Sequence, residues 1–531
     1  LERFDDQHDD GQHDVIAFLS KPATYGITEP VERIDTHAAI VFLAGDIACK
    51  LKRAVRYPYL DFSTPARRRA VCEAELTLNR RTAPDLYLAV RAVTRRPDGS
   101  LGFDDGVPVD WVVMMRRFAP DCLLATLAEK GSLDPGMMRE LADSVARFHD
   151  AAEIVAGCGA DRVRKVINGN HASMAALKPS ILGAEDRDRL WSDSLARAEE
   201  IAPLLDRRAA DGLVRHCHGD LHLANICIWH GRPTPFDCLE FDDDLATSDV
   251  LYDLAFLLMD LWHRGLHAEA SLVFNRYCDR RGETGGIAAL PLFLAMRAAV
   301  RTHVLGSAAD RQDKAAQRAR LVDQAHGYLS AAHGFLMAPT PRLIAVGGRS
   351  GSGKSTLASH LAPLIGTTPG ARWIRTDVLR KLLAGVDPET HLPDSAYTPA
   401  AHEAVYAALI ERVRDTLAAG WPVIVDAVFD FPDTRARMEA LARSLGVPFA
   451  GLWLDAEREI LNDRVRGRRG DASDAGTDVV ERQLARDIGS LGDWVRIDAG
   501  GTPAQTLERC RKALAALRQG DPDPDRYVKV V

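Results

Sequence analysis

Two stretches of this 531-residue chain hold residue types at spacings that suit phosphoryl-group chemistry. The first is His218-Gly219-Asp220-Leu221-His222-Leu223-Ala224-Asn225, where an Asp follows a His-Gly pair and an Asn follows that Asp five residues later. At this spacing a carboxylate can orient an attacking hydroxyl while an amide oxygen holds a magnesium ion. The second is Gly348-Arg349-Ser350-Gly351-Ser352-Gly353-Lys354-Ser355. An apolar strand, residues 343–347, runs straight into it, and a helix begins with Thr356. Backbone N–H groups from Gly348 through Thr356, with Ser350, Gly351, Ser352 and Gly353 between them, would cradle phosphates at that helix N-terminus. Lys354 would reach the β- and γ-phosphates, and Ser355 would ligate magnesium.

Each stretch needs partners that other elements must bring in. Ahead of the first, residues 39–43 and 47–52 read as a β-hairpin around Ala44-Gly45-Asp46. Lys50 and Lys52 share one face of its second strand by the period of two, and Lys50 is the expected holder of the α- and β-phosphates. Residues 67–81 read as a helix bearing Glu73 and Glu75. Glu73 is the expected ion-pair partner of the lysine, since that choice leaves Leu76 and Leu78 free for packing. Residues 86–93 and 111–118 read as further strands, with a hairpin loop between them. After the Asp220 stretch, residues 226–229 and 234–241 read as two strands joined by a turn at 230–233. A metal-binding carboxylate belongs there, and Asp237 and Glu240 are both candidates. Their opposite parity places them on opposite sides of an ideal strand unless a bend brings both in.

Around the second stretch, residues 373–377 end a strand on Asp377, and residues 422–427 form another that reaches Asp426. Asp426 would act on magnesium directly or through water. Asp377 points to the same crevice, at the carboxyl ends of the strands, as a general base, a substrate anchor or a helix N-cap. Residues 460–469 gather four arginines. Arg464 and Arg468, at i and i+4, would close over the γ-phosphate as a lid and balance developing charge.

The remaining composition sets bounds. Hydrophobic content of 46% and charged content of 27% are those of a globular chain with ample core. A net charge of −8 argues against nucleic acid as the main partner. The nine cysteines form no Cys-x-x-Cys pair and suit a reducing compartment, so a cytoplasmic location is expected. No apolar run is expected to cross a membrane. Residues 1–13, rich in Asp, His and Gln, read as a solvated tail in which His8 and His13 are not metal ligands.

Residues 218–225, then Phe236-Asp237-Cys238-Leu239-Glu240-Phe241, then Asp249 and Tyr252-Asp253-Leu254-Ala255, together resemble the aminoglycoside phosphotransferase family. That family has a protein-kinase-like fold and includes choline and other small-molecule kinases. The resemblance implies that Asp220 is the catalytic aspartate, that Asn225 is a magnesium ligand and that Asp253 is structural. Two departures stand out. The family's Ile-Asp-Phe-like segment is matched best by Leu239-Glu240-Phe241, which puts Glu at a metal position unless Asp237 takes that role. No Gly-x-Gly-x-x-Gly loop precedes Lys50. The second half resembles small P-loop kinases of the adenylate, gluconate and polynucleotide kinase type, with a zeta-toxin-like branch.

The expected architecture is an α+β bilobal kinase-like domain followed by an α/β P-loop domain with a parallel sheet. The expected divisions are an entry segment at 1–29, the kinase-like domain at 30–336, a linker at 337–342, the P-loop domain at 343–518 and a tail at 519–531. ATP or another NTP and Mg2+ are the expected cofactors, and hydroxyl-bearing small molecules the expected acceptors. Two rival expectations stand beside a pair of kinase sites: a P-loop half that switches the first half, and a binding protein with a decayed first site.

Overall fold

The computed structural model describes residues 12–36, 38–57, 60–468 and 471–519. Residues 1–11 and 520–531, and Arg469 of the arginine cluster, lie outside them, but the solvated tail expected over 1–13 is contradicted at its end, where Gln12 is buried, its side chain bonded to Lys52 O and Asp110, and His13 opens a helix. The chain divides into two units, residues 1–157 with 209–257, and residues 158–208 with 258–531.

The first unit is built on a six-stranded antiparallel sheet in the order Glu32–Asp35, Ala39–Ala44, Ile47–Lys52, Val107–Arg116, Tyr87–Arg95, Leu101–Phe103. Strict alternation gives it two faces. Ile40, Phe42, Cys49 and Leu51 turn one way, onto Val15, Ile16 and Leu19 of the short helix His13–Leu19. The other face receives the helix Pro65–Asn79, whose Cys72 packs with Tyr87 and Val113. That helix starts where its sequence says it should. Thr64 accepts a hydrogen bond from Arg67 N, and Pro65 occupies the first turn, where its missing N–H costs nothing. Lys50, Cys49 and Leu51 pair across to Val113, Met114 and Val112, so Lys50 and Lys52 lie on the helix side of the sheet.

The Asp220 stretch lies between two short antiparallel pairs. Val214–His216 pairs with Thr247–Asp249, and Ile226–Trp229 pairs with Arg232–Pro235. The expected strand over 234–241 stops at Pro235. Asp237 takes a φ of 61°, a left-handed conformation that no strand accommodates, and the ladder ends there.

In the second unit, a parallel sheet of five strands runs in the order Arg372–Arg375, Val423–Asp426, Leu343–Gly348, Phe449–Asp455, Val495–Asp498. Every residue of the central strand Leu343–Gly348 is buried, as expected where helices cover both faces of a parallel sheet. One face packs on Val405, Leu409, Met438 and Trp494, and the other on Leu357, Leu361, Cys510 and Leu514. The α+β then α/β order expected from the sequence is thus the order found. The helix Leu290–Arg311 lies in this unit. Among the described residues one segment, residues 285–311, is long and apolar enough to cross a membrane, and 72% of its apolar window is buried within the protein. It does not stand out in the sequence, because Arg297, Arg301 and Arg311 interrupt it.

Candidate active site

In the first unit, two lysines and three carboxylates meet beneath the sheet. Lys50 Nζ lies 2.8 Å from Glu75 Oε1 and 2.5 Å from Asp237 Oδ1. Lys52 Nζ lies 2.6 Å from Glu75 Oε2 and is also paired with Glu240. Glu73, the expected partner, is turned outward and pairs with Arg69 at 2.8 Å, with both side chains more than half exposed. The correction follows from helix geometry. Glu73 and Glu75 are two residues apart, so they point about 200° away from one another. The sheet covers the Glu75 side.

Charge balance explains the protonation states. Burial disfavours the Glu75 carboxylate, but Lys50 and Lys52 outweigh it and hold its pKa at about 2. Burial likewise pulls Lys50 down, and Asp237, Glu75 and Glu240 push it well above the ordinary lysine value. Lys52 is raised in the same way, against burial, by Glu240 and Glu75. Both lysines are therefore charged. Three carboxylates face them; burial raises the pKa of Glu240 against the pull of Lys52, and the more open Asp237 is a hard oxygen donor of the kind a divalent cation takes.

The bend at Asp237 decides what parity could not. Asp237 N donates to Tyr87 Oη at 3.1 Å, and Cys238 N donates to Asn79 Oδ1 at 2.8 Å. The segment is thereby tied to the Pro65–Asn79 helix and to the neighbouring strand, and both acids reach the lysines. They differ in access. The Asp237 side chain is 39% exposed, whereas that of Glu240 is 9% exposed and sits behind, on Lys52.

The turn that carries Asp220 is held from below. Asp253 accepts from Gly219 N at 2.9 Å and from His218 N at 3.2 Å, and His149 Nε2 lies 3.1 Å from it. His149, Cys217 and Asp253 have ligand atoms close enough for a metal, but Asp253 is already committed to the loop backbone. His218 contacts Phe236 O through Nε2 at 3.0 Å and accepts from Asp220 N through Nδ1 at 3.3 Å. Burial lowers its pKa, in keeping with this neutral tautomer. Gly219 has a φ of 81°, and a Cβ there would meet Leu239 Cβ at 2.9 Å, so the turn requires glycine. Arg81 donates to His216 O and Cys217 O, at 2.7 and 3.2 Å. Above this support Asp220 is 42% exposed at its side chain. Asn225 Nδ2 donates to Asp220 Oδ2 at 2.8 Å, which leaves the Asn225 amide oxygen without a hydrogen bond among the described residues. A carboxylamide oxygen and the Asp237 carboxylate are hard oxygen donors of the kind magnesium takes.

In the second unit, the glycine-rich loop joins the central strand to the helix Lys354–Leu361. Its tight approach to neighbouring backbone excludes side chains. A Cβ on Gly348 would lie 2.5 Å from Leu454 O, and one on Gly351 2.4 Å from Leu461 O. Lys354 Nζ donates to Arg349 O at 3.0 Å, within the loop itself. Ser350 N donates to Gln483 Oε1 at 2.8 Å. The Ser352 hydroxyl is buried and has no partner among the described residues. Thr356 follows Ser355 in the helix's first turn and is exposed.

Ser355 Oγ and Asp426 Oδ2 are 2.6 Å apart. Burial raises the Asp426 pKa against the pull of Arg375 and Lys354, and burial lowers Lys354 against Asp426 and Asp377. Arg375, which no sequence motif singled out, donates to Ser355 Oγ at 3.1 Å and to Asp471 Oδ1 at 2.7 Å. Its signal was available, since it ends the strand just before Asp377. Asp377 sits in the first turn of the helix Thr376–Leu383 and has no hydrogen bond or ion pair among the described residues. Its charge acts on Lys354, Arg375 and Asp426. The loop after the arginine cluster is pinned at Asp474, which lies 2.5 Å from Lys381 Nζ and from Tyr397 Oη and accepts from Leu392 N at 3.0 Å.

The two arginines expected to act together are used differently. Arg464 donates to Ala499 O at 2.9 Å and to Gly501 O at 2.8 Å, so its guanidinium braces the end of the Val495–Asp498 strand. Arg468 lies near enough to Lys354 and Asp471 for its charge to act on both. The helix Arg458–Arg466 ends before Arg468, and a shared helix face is therefore not formed.

A family model described as an AAA domain matches residues 343–487, the span that holds the glycine-rich loop, Asp377, Asp426 and both arginines. Uncharacterized protein Rv2004c of Mycobacterium tuberculosis (strain ATCC 25618 / H37Rv) is 31% identical over 482 residues, covering 88% of this chain and 92% of its own. Among solved structures, a gluconokinase from Sinorhizobium meliloti 1021 is similar to 34% of this chain over 95% of its own, with 25% identity and a TM-score of 0.25. Aminoglycoside 2'-phosphotransferase-IIIa, in a GDP complex, is similar to 60% of this chain over 99% of its own, with 15% identity and a TM-score of 0.38.

Proposed function

This chain belongs to one family with Rv2004c and its Mycobacterium counterparts, and from its two assembled sites we propose a bifunctional ATP-dependent phosphotransferase. Each site would phosphorylate a hydroxyl group of a small molecule, in the cytoplasm. The observation that carries the reading is a parallel between the sites. Each joins a half-buried lysine and a buried carboxylate to a further half-buried acidic group: Lys50, Glu75 and Asp220 in one, Lys354, Asp426 and Asp377 in the other.

In the first site, Asp220 orients the acceptor hydroxyl and takes its proton as the hydroxyl oxygen bonds to the γ-phosphorus and the bond from that phosphorus to the β,γ-bridging oxygen breaks, releasing ADP. Asn225 holds Asp220 through its NH2 and offers its oxygen to magnesium. Asp237 would be the carboxylate ligand, because its side chain is accessible. Glu240 is the anchor behind it, neutralised by Lys52. Lys50, fixed by Glu75, sits where nucleotide phosphates need a cation. In the second site, the loop backbone and Lys354 take the phosphates, and Ser355 and Asp426 are the residues that would hold magnesium. Asp377 is the base or anchor for the acceptor, and Arg468 adds positive charge as the phosphoryl group moves. Magnesium, if bound there, would supply positive charge against the nucleotide phosphates.

A metabolite screen with labelled ATP tests this. Wild type is expected to form two classes of labelled product, with Asp220→Ala losing one and Lys354→Ala the other. If neither substitution changes the products, the reading fails.

A further inference from the structure

The strand Arg372–Arg375 is an edge of the five-stranded sheet, with the Val423–Asp426 strand on one side only. An edge leaves backbone N–H and C=O groups that need other partners. Here they are taken by the side chain of Asn275, on the helix His267–Arg281, about a hundred residues earlier in the chain. Asn275 Nδ2 donates to Ala371 O at 3.2 Å, and Asn275 Oδ1 accepts from Trp373 N at 2.6 Å. One amide bonded to a C=O and to the N–H two residues on reproduces the pattern of a parallel strand neighbour about Arg372. Arg372 itself turns back to the helix, donating to Asn275 Oδ1 at 3.0 Å and pairing with Asp279. Asn275 is 4% exposed and Arg372 1%.

The same helix grips the segment after the Thr376–Leu383 helix as well. Arg276 is bidentate to Glu389, at 2.8 and 3.0 Å, and Arg280 lies 2.5 Å from Asp387. Asp387 and Glu389 lie just before Thr390, whose carbonyl accepts from Lys381 of the helix that carries Asp377. Phe274 meanwhile packs 6.0 Å from Trp421, whose Nε1 donates to Gly370 O at 2.9 Å.

We propose that Asn275 is a positioning residue of the P-loop site. Its amide sets the edge strand that ends in Arg375 and leads into Asp377, while Arg276 and Arg280 hold the segment after the Thr376–Leu383 helix. The helix His267–Arg281 is then a working part of the second site, although its sequence lies on the other side of the glycine-rich loop from everything else there. This rests on the P-loop reading above, since Arg375 and Asp377 matter only if that site transfers phosphate. Small displacements of such groups cost rate steeply, whereas nucleotide affinity depends on the loop backbone and Lys354, which Asn275 does not touch.

The test uses the full chain with Asp220→Ala, so that turnover reports the second site alone. ATP turnover with water as acceptor, affinity for a fluorescent ATP analogue, and amide hydrogen exchange over residues 371–392 are measured together. Asn275→Ala is expected to lower kcat at least tenfold, to change analogue affinity less than threefold, and to speed exchange over 371–392 but not over 343–348. Asn275→Asp, which keeps the acceptor for Trp373 N, is expected to recover part of the rate. Should Asn275→Ala not fold, Arg280→Met, at the more exposed grip, is expected to speed exchange over 386–392 alone. Wild-type kcat and exchange in the folded variants would overturn the proposal, as would a parallel loss of analogue affinity and of protection throughout the unit. Lys354→Ala serves as the separate control. If it leaves turnover intact the P-loop reading fails, and the exchange data still decide whether Asn275 fixes the strand.

Discussion

Glu75 Oε1 receives the Lys50 ammonium at 2.8 Å, with the side chains 0% and 12% exposed. The pair is closed off from water on the face where the helix Pro65–Asn79 meets the sheet, and the second carboxylate oxygen is engaged by Lys52 at 2.6 Å. Removing one member of such a group leaves the others buried without compensation.

Glu75→Gln is therefore expected to destabilise the first unit by about 3 kcal/mol, the scale for breaking a buried ion pair, and to lower first-site turnover at least tenfold. Glu73→Gln is expected to cost less than about 1 kcal/mol, as for an exposed pair, and to leave turnover within twofold. Thermal unfolding and labelled-product formation on the two variants side by side check this. Equal effects would mean that the lysine is not held by Glu75.

The same carboxylate has a pH signature. Its pKa is depressed from 4.5 to about 2 in the folded protein, so it contributes stability that is fully present above pH 4.5 and is lost as pH falls towards 2. The loss over that window is on the order of 3 kcal/mol, because each tenfold change in proton affinity is worth about 1.4 kcal/mol. Denaturant unfolding of wild type is expected to weaken over this range by that much more than unfolding of Glu75→Gln. Parallel curves would show that Glu75 is not ionised against the lysines.

Asp253 separates support from chemistry. It accepts from the backbone N–H groups of His218 and Gly219, so Asp253→Ala leaves two buried donors unpaired, at about 1–3 kcal/mol each. Asp220→Ala removes a partly exposed side chain and is expected to abolish first-site product with little change in melting temperature. Asp253→Ala is expected to lower both. Gly219→Ala joins the Asp253 class, because its φ of 81° and the 2.9 Å approach to Leu239 admit no Cβ without strain. Melting curves and labelled-product assays on the three variants check the division, and a normal melting temperature in Asp253→Ala would remove it.

What could be read from the chain alone follows a physical divide. Residues 218–225 and 348–355 were legible because a loop that cradles phosphates or presents an aspartate must encode its turns locally, in glycines such as Gly219, Gly348 and Gly351. The choice between Glu73 and Glu75 was not. A helix fixes their angular separation, but which face meets a sheet is decided by packing elsewhere. Asp237 and Glu240 misled for a different reason: parity holds only for an unbroken strand, and a left-handed residue at 237 ends it. Arg375, Gln483, Asp474 and Asn275 owe their roles to partners 20 to 133 residues away, which no local pattern announces.

The arginine cluster gives the clearest case of spacing overruled by structure. Arg464 and Arg468 stand four apart and would line one face of a continuous helix, but the helix Arg458–Arg466 has ended before the second of them. Arg464 spends both terminal nitrogens on the carbonyls of Ala499 and Gly501. Its loss removes two charged hydrogen bonds, at about 1.5–3 kcal/mol each, and leaves those carbonyls to find water. Arg464→Ala is accordingly expected to lower the melting temperature of the second unit while kcat of the surviving folded protein stays within threefold. Arg468 has its charge set against Lys354 and Asp471, beside the phosphate cradle. Arg468→Ala is expected to leave the melting temperature unchanged and to lower second-site kcat at least tenfold, with a smaller effect on ATP affinity. The reason is that a cation meeting charge that develops on the transferred group acts in the transition state rather than on the bound nucleotide. Calorimetry and steady-state turnover on both variants, in the Asp220→Ala background, check the assignment. A large kcat loss in Arg464→Ala without a change in melting temperature would reverse the two roles.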